Sequence, residues 1–220
     1  MSKKDAALFW DTAHRYLDHH LKVIRQVSSH TIDSYRDCLN SFINYLEEVE
    51  HINRKRISFH NFKKETLKRY QSWMITERSL APKTCNLRMT AIRAFLEYAA
   101  QEYLWVMPIY TDACNIVGVK TTNPVIEYFE PNEMAALLAA PSGNNKTDRR
   151  NQMMLIFLYD TAARVAEARQ VKVSDLHLDA EVPYVTLLGK GRKYRNIPLL
   201  EKTILHARRY LKEFHGSDLK

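Results

Sequence analysis

Two cationic residues in the second half of the chain have settings suited to phosphate chemistry. Arg164 falls between two apolar helical patterns, within residues 159–167. Lys190 lies at the tip of a basic hairpin pattern, residues 189–195. An arginine fork can donate two hydrogen bonds to a phosphate, and a basic hairpin tip can contact a DNA backbone. The pair therefore predicts half of an active site for phosphodiester chemistry on DNA.

Both residues also have an ordinary structural interpretation. Arg164 can cap a helix or pair with Glu167 one turn later, and glycine and lysine are common in solvated turns. A two-stranded ribbon with a charged tip can, however, reach a DNA groove or backbone. The sequence around these residues keeps both interpretations open.

The elements that must position these residues divide the chain into a helical half and a mixed half. Residues 1–107 show four amphipathic helix patterns, with an N-cap at Ser28 or Ser29 and a helix opening at Pro82. The predicted inward face of this fourth helix consists of Leu87, Ala91, Ala94, Phe95 and Tyr98. Residues 108–124 lose this periodicity and predict an extended linker. Residues 125–220 predict an α+β domain with helices from Pro131 and over 148–159, 165–170 and 201–215, and a hairpin of strands 184–188 and 194–197. The expected fold class is mainly α with a small β-hairpin.

Composition and charge narrow the class of partner. A formal net charge of +8, with basic excess in both halves, favours a polyanion such as nucleic acid. Three cysteines lie far apart, which argues against a disulfide framework or a metal site and predicts a reducing, cytoplasmic compartment. The apolar runs are too short for a membrane span, and no signal peptide is recognised.

The motifs resemble those of the tyrosine recombinases, or phage-type integrases. The family's first arginine box, T-G-x-R-x-x-E-L-x-x-L-x-x-x-D-[IL], is similar to residues 161–176, and its hairpin, G-K-G-x-K-x-R-x-[IV]-P-L, to residues 189–199. The first half is similar to the family's core-binding domain over residues 28–35, 84–88 and 93–95. The resemblance implies a four-helix SAM-like core-binding domain followed by part of a catalytic domain.

The resemblance also implies a mechanism of DNA integration and recombination, as in mobile elements, without metal or cofactor. A tyrosine attacks a phosphodiester and forms a 3′-phosphotyrosyl link, which another strand's 5′-hydroxyl can reverse. On this pattern Arg164 clamps the phosphate, Lys190 protonates the leaving oxygen, and Glu167 supports Arg164. The implied partners are double-stranded DNA and, in the full-length form, a homo-tetramer.

The family pattern also requires a later H-x-x-R box and a nucleophilic tyrosine near the C-terminus. His206, Arg209 and Tyr210 match formally, but they follow Lys190 too soon and share one predicted helix, so we exclude them. We therefore expect a C-terminally truncated recombinase that binds DNA and does not cleave it alone. The alternatives are a non-catalytic accessory protein that occupies recombination sites and a helical protein–protein module without a DNA role.

Two departures from the arginine box carry structural expectations. Ala162 replaces the family glycine, and we expect it to exclude a left-handed backbone there. Ala168 replaces the leucine that follows the glutamate, which removes packing volume. Both changes fit either a subfamily or a relaxed constraint on a chain that no longer catalyses.

Further DNA contacts are predicted on polar surfaces of both halves. Most should reach phosphates and set register rather than read sequence. On the predicted fourth helix and near the start of the second, the candidates are Lys83, Asn86, Thr90, Arg93, Ser29 and Thr31. On the hairpin they are Arg192, Lys193 and Arg195.

Overall fold

The computed structural model describes residues 3–122, 125, 127–189, 191 and 193–216. The chain separates into two compact units, Met1–Pro124 and Val125–Lys220, called the first and the second unit. Both are mainly helical, and the second also contains a small antiparallel sheet, which confirms the predicted fold class. No helix within the described ranges combines the length and the apolar character that a bilayer span requires.

The first unit is helical, and local sequence signals mark the N-termini of two of its helices. The Ser28 hydroxyl accepts a hydrogen bond from the Thr31 N–H at 3.2 Å, which confirms the predicted cap, and Pro82 occupies the first turn of its helix. A π-helical stretch, Arg15–Ile24, extends the first helix. The α-helices are α1 (Lys3–His14), α2 (Ser29–Glu48), α3 (Lys64–Thr76), α4 (Pro82–Glu102) and α5 (Met107–Cys114).

Aromatic side chains fill the core of the first unit. The ring centroids of Phe42 and Phe62 lie 4.7 Å apart, and those of Phe9 and Phe95 lie 5.8 Å apart, edge to face. All four rings are buried. Each such ring removes roughly 150–250 Å² from water on folding, so these contacts dominate the stability of this unit.

The buried face of α4 differs in part from the predicted one. Ala91 and Phe95 are buried as expected, but Leu87 is 55% exposed. Residues two positions apart in a helix lie about 200° apart around its axis, so Leu87 and Met89 point to nearly opposite sides. Met89 and Cys85 take the inward positions instead.

The extended linker predicted over residues 108–124 is wrong over residues 108–114, which belong to α5. Pro108 stands in the first turn of this helix, where its missing N–H costs no hydrogen bond. Ala113 and, just beyond the helix, Ile116 are buried in the core of the first unit. The proline that suggested a linker therefore begins a helix.

The second unit contains the predicted helices and both predicted strands. Its sheet has the order β1-β2-β3, and Val185 pairs with Ile197 while Leu187 pairs with Arg195. The two-residue strand β1 was not predicted, because so short an element leaves no alternation to detect. The elements are α6 (Pro131–Ala139), α7 (Lys146–Thr161), α8 (Val165–Ala168), β1 (Leu176–His177), β2 (Tyr184–Leu188), β3 (Tyr194–Pro198) and α9 (Glu201–Phe214).

The core of the second unit lies between the sheet and helices α7 and α9. Val185 and Leu187 point inward from β2 and pack with Phe157 and Leu211. Arg149 on α7 donates to both carboxylate oxygens of Glu213 on α9, at distances between 2.6 and 3.0 Å. These contacts fix the framework from which α8 and the hairpin extend.

Candidate active site

The turn that carries Arg164 is shaped by a buried threonine and a left-handed residue. The Thr161 hydroxyl donates to the Phe157 carbonyl at 2.6 Å and accepts from the Ala163 N–H at 3.2 Å. Ala162 has φ 47° and ψ 31°, which is the left-handed conformation. The expectation that alanine excludes this conformation is wrong, because the turn imposes it at a cost of about 1 kcal/mol relative to glycine.

Glu167 is the centre of the site. Its side chain is only 7% exposed, and two arginines donate to it. The Arg164 backbone N–H and Nη1 lie 3.0 and 2.8 Å from Oε2 and Oε1. Arg195 places Nη2 2.7 Å from Oε2 and Nη1 3.3 Å from Oε1. One buried carboxylate therefore connects α8 with strand β3.

These donors keep Glu167 ionised. The hydrogen bond from Arg195 is the largest influence, followed by the Arg164 N–H, and together they lower the pKa of Glu167 to about 2. Desolvation acts in the opposite direction and is outweighed. The carboxylate is therefore charged throughout the physiological range, so both arginines retain an anionic partner.

The root of the hairpin lies against the same carboxylate. The Gly189 N–H donates to the Lys193 carbonyl at 2.8 Å, where strands β2 and β3 meet the loop. A Cβ atom on Gly189 would stand 3.2 Å from Arg195 Nη1 and 3.5 Å from Glu167 Oε1. We call Arg164, Glu167, Gly189 and Arg195 the Glu167 cluster. The fold thus brings the arginine box and the hairpin motif together.

Arg164 is anchored on one side only. Its side chain is 71% exposed, and Nη1 is the only nitrogen of its guanidinium with a hydrogen-bond acceptor among the described residues. Nε and Nη2 remain as donors. A planar group with two available N–H donors matches two oxygens of a phosphate. The predicted structural role of Arg164, pairing with Glu167, therefore coexists with a free binding edge.

Arg195 is more fully engaged than Arg164. Both of its terminal nitrogens contact Glu167, and its position opposite Leu187 places it on the core-facing side of the sheet. This pairing was missed in the sequence, because the two residues are 28 positions apart and no periodicity connects them. The predicted DNA contact of Arg195 remains a prediction.

Parts of the hairpin tip lie outside the described residues. These are Lys190 and Arg192, so the predicted roles of both remain predictions. Lys193 is described and exposed, and Gly191 has a φ of 75°, a conformation that favours glycine.

The predicted polar face of α4 is covered by the chain that follows α5. Asn86 exchanges two hydrogen bonds with the Val119 backbone, both 2.8 Å long. Arg93 donates from Nε to the Ala113 carbonyl at 2.9 Å and from Nη2 to the Ile116 carbonyl at 2.7 Å. These side chains hold residues 113–119 against α4 and have few donors left for a ligand.

The other predicted contacts of the first unit lie nearer to solvent. Lys83 and Ser29 are exposed. Thr90 is exposed, and its hydroxyl donates to the Asn86 carbonyl at 2.9 Å. The Thr31 hydroxyl lies 2.8 Å from that of Ser28, within the cap of α2. Lys83 is the charged residue among these four, and its exposed side chain is available to a phosphate.

Tyr210, the formal match to a nucleophile, has a packing role. Its ring stacks on Phe214 with centroids 4.6 Å apart and borders a largely apolar groove of about 570 Å³. Phe157 and Leu211 also line this groove, whereas Arg164 does not. The arrangement gives no sign that Tyr210 and Arg164 share a reaction centre.

Two family models together match most of the chain. The phage integrase family matches residues 127–218, and the N-terminal SAM-like domain of phage integrases matches residues 14–103. Both the arginine box and the hairpin fall within the first of these matches.

Curated relatives are similar over nearly the whole chain. A putative integrase/recombinase, y4rC of Sinorhizobium fredii, is 29% identical over 88% of this chain and 58% of its own length. The tyrosine recombinase XerC of Staphylococcus epidermidis is 30% identical over 90% and 63%. XerD of Halalkalibacterium halodurans is 33% identical over 92% and 64%. The chain thus spans about three fifths of the length of these relatives.

Solved structures share the fold at lower identity. The XerH recombinase bound to a palindromic difH substrate aligns with a TM-score of 0.61 and 20% identity, over 87% of this chain and 54% of its own. The Tn1549 transposon integrase in complex with circular intermediate DNA aligns with a TM-score of 0.60 and 19% identity, over 91% and 64%. At this identity the likeness establishes the fold.

Proposed function

Because the chain belongs to the phage integrase family of tyrosine recombinases, we propose that it binds double-stranded DNA and holds a backbone phosphate at Arg164. The observation that carries this proposal is the one-sided anchoring of the Arg164 fork by Glu167, which leaves two donors available. Charge-assisted bonds from such a fork are among the stronger contacts to phosphate. The net charge of +8 supports association with a polyanion.

Solved relatives support DNA as the partner. XerH was solved on a difH substrate and the Tn1549 integrase on circular intermediate DNA. For this chain, we expect the exposed cations Lys83 in the first unit and Lys193 in the hairpin to add phosphate contacts. Such contacts set the register of a protein on the duplex.

In a complete enzyme of this family, we assign the site two chemical roles. A tyrosine oxygen attacks the phosphorus, the bond from phosphorus to the 5′-oxygen breaks, and a 3′-phosphotyrosyl link forms. Arg164 offsets the charge that develops on the phosphate oxygens, and Lys190 donates a proton to the leaving 5′-oxygen. Glu167 keeps Arg164 oriented and is a positioning residue.

We propose that the 220-residue chain alone binds DNA without cleaving it. The second arginine box and the nucleophile are not assigned to any of its residues. Tyr210 supports this view, because its ring packs on Phe214 and borders a groove that Arg164 does not line.

Fluorescence anisotropy with a labelled duplex tests the binding. Between about 50 and 200 mM salt we expect the affinity to fall steeply, and Arg164→Ala to reduce the salt slope by about one. Lys212→Ala, which removes an exposed cation from α9, is the control for net charge. Equal losses in the two variants would contradict a specific phosphate contact, and a salt-independent affinity would contradict DNA binding.

A nicked duplex and a denaturing gel test the absence of cleavage. We expect no covalent protein–DNA band. A band that Tyr210→Phe abolishes would identify Tyr210 as a nucleophile and overturn its exclusion. A band that survives this substitution would indicate another tyrosine.

The packing of Tyr210 also favours the second candidate, a non-catalytic DNA-binding accessory protein that occupies recombination sites. Both candidates predict the same contacts. They are distinguished by competition with an intact recombinase of the family on the sites that both bind.

A further inference from the structure

We infer that Arg195 is a positioning residue, which acts through Glu167 to hold Arg164 and the root of the β2–β3 hairpin in one fixed arrangement. This inference rests on the proposed function of Arg164. It assigns Arg195 a role different from the direct DNA contact that its basic surroundings predict, and it identifies Glu167 as the connection between the two DNA-contacting motifs.

The carboxylate of Glu167 is saturated with donors. Glu167 receives one backbone and one side-chain donor from Arg164 and two side-chain donors from Arg195. A carboxylate offers about four acceptor positions, so no further donor is needed to satisfy it. Since Glu167 is nearly fully buried, losing the two donors of Arg195 would leave a desolvated charge with too few partners. A substitution at Arg164 removes one side-chain donor and keeps the backbone donor.

The side chain of Arg195 is directed inward. The residue pairs with the buried Leu187 and shares its side of the sheet, whereas the adjacent Tyr194 is strongly exposed. Successive strand residues point to opposite faces, so the Arg195 side chain leaves β3 towards the protein interior. This direction brings the guanidinium to Glu167 on α8, while 39% of the Arg195 side chain stays exposed.

The backbone approaches the pair closely at Gly189. A Cβ there would stand 3.2 Å from Arg195 Nη1, closer than most such contacts in proteins. The residue next to it, Lys190, is the proposed proton donor. The bidentate contact between Arg195 and Glu167 therefore sets where the hairpin leaves the body of the unit.

Removing the charge of Glu167 distinguishes positioning from simple electrostatics, because the two predict opposite changes in DNA affinity. Glu167→Gln preserves size and removes a negative charge, which by electrostatics alone strengthens DNA binding. If Glu167 positions Arg164, the substitution instead weakens binding by about fivefold to tenfold, because the Arg164 fork loses its charged anchor. Glu181→Gln, at an exposed carboxylate of the same unit, is the matched control, and we expect it to leave the affinity equal or slightly raised.

A double-mutant cycle separates positioning from contact. Arg195→Met alone should weaken binding, but in the Arg164→Ala background it should cause little further loss, because its effect passes through Arg164. A direct phosphate contact would instead give additive losses and a further reduction of the salt slope by about one. Additivity would overturn the inference.

Arg195→Lys keeps the test valid if a larger change unfolds the protein. Lysine retains the charge but cannot make the bidentate contact, so we expect a partial loss of affinity with an unchanged circular dichroism spectrum. Full affinity in a folded Arg195→Lys protein would contradict positioning through a bidentate pair.

The outcomes also separate this inference from the proposed function. If the unmodified chain shows no salt-dependent binding, the proposed function fails. If Arg164→Ala weakens binding while Glu167→Gln strengthens it, only the positioning role fails.

Discussion

Two arginines that the sequence assigns to phosphate contacts have different roles in the structure. Arg93 on α4 donates to two backbone carbonyls of its own unit. On the same helix, Asn86 bonds to the Val119 backbone of the same stretch of chain. Arg164 gives one side-chain nitrogen to Glu167 and keeps two donors available. The sequence predicts a DNA contact for both, but the number of unused donors distinguishes a structural anchor from a binding group.

The largest expected effect separates the two arginines by stability. Arg93→Leu should lower the free energy of unfolding of the first unit by about 2 kcal/mol, because two carbonyls lose a charged donor. Arg164→Leu should change stability by about 0.5 kcal/mol or less, since its side chain is mostly exposed. Urea unfolding measures both effects. Tryptophan fluorescence reports the first unit, because Trp10, Trp73 and Trp105 all belong to it, and far-ultraviolet circular dichroism also records the helices of the second unit. Equal stability losses in the two variants would remove the distinction.

Substitution of Asn86 should lower the free energy of unfolding of the first unit by less than substitution of Arg93. Asn86→Ala removes both hydrogen bonds to Val119 and should cost about 1–2 kcal/mol in the same assay. Lys83→Ala, one turn earlier and exposed, should leave stability nearly unchanged. If Lys83→Ala proved the more destabilising, the assignment of Asn86 as the anchor would be wrong.

A glycine substitution tests the backbone conformation of the turn that carries Arg164. Ala162→Gly is expected to stabilise the second unit by about 1 kcal/mol, because glycine adopts the left-handed conformation without strain. Ala166→Gly, within the short helix α8, should instead destabilise by up to about 1 kcal/mol. Thermal unfolding by circular dichroism compares the two, and a loss of stability in Ala162→Gly would argue against this turn conformation.

Lowering the pH should destabilise the second unit through the loss of charge on Glu167. The pKa of Glu167 is about 2 in the folded protein, below the value of 4.5 that is ordinary for the group. Its contribution to stability is therefore complete above about pH 4.5 and is lost as the pH falls towards 2. Glu167→Gln should reduce this acid sensitivity, whereas Glu181→Gln should leave it unchanged. The measurement is a series of unfolding curves of the second unit between about pH 5 and pH 2.5, one at about every half pH unit.

Local sequence patterns predict most of the helices and strands, but they do not fully predict which face of each element is buried. The cap at Ser28, the opening proline of α4 and the alternation of β2 each depend on neighbours within a few residues, so the sequence predicts them. The inward face of α4 failed at Leu87, because burial depends on the helices packed against it. The linker predicted at Pro108 is wrong for a similar reason, since a proline in the first turn of a helix and a proline in a linker look alike locally. They differ in whether the residues after them pack against the core.

The sequence by itself determined the chemistry that is available: an arginine box, a basic hairpin motif and the family to which they belong. Only the tertiary structure decided which cations have donors left over. That depends on contacts between distant residues, such as Glu167 with Arg195 and Asn86 with Val119. A hydrogen bond of this kind requires both partners to be held within about 3 Å, and this proximity is created by folding.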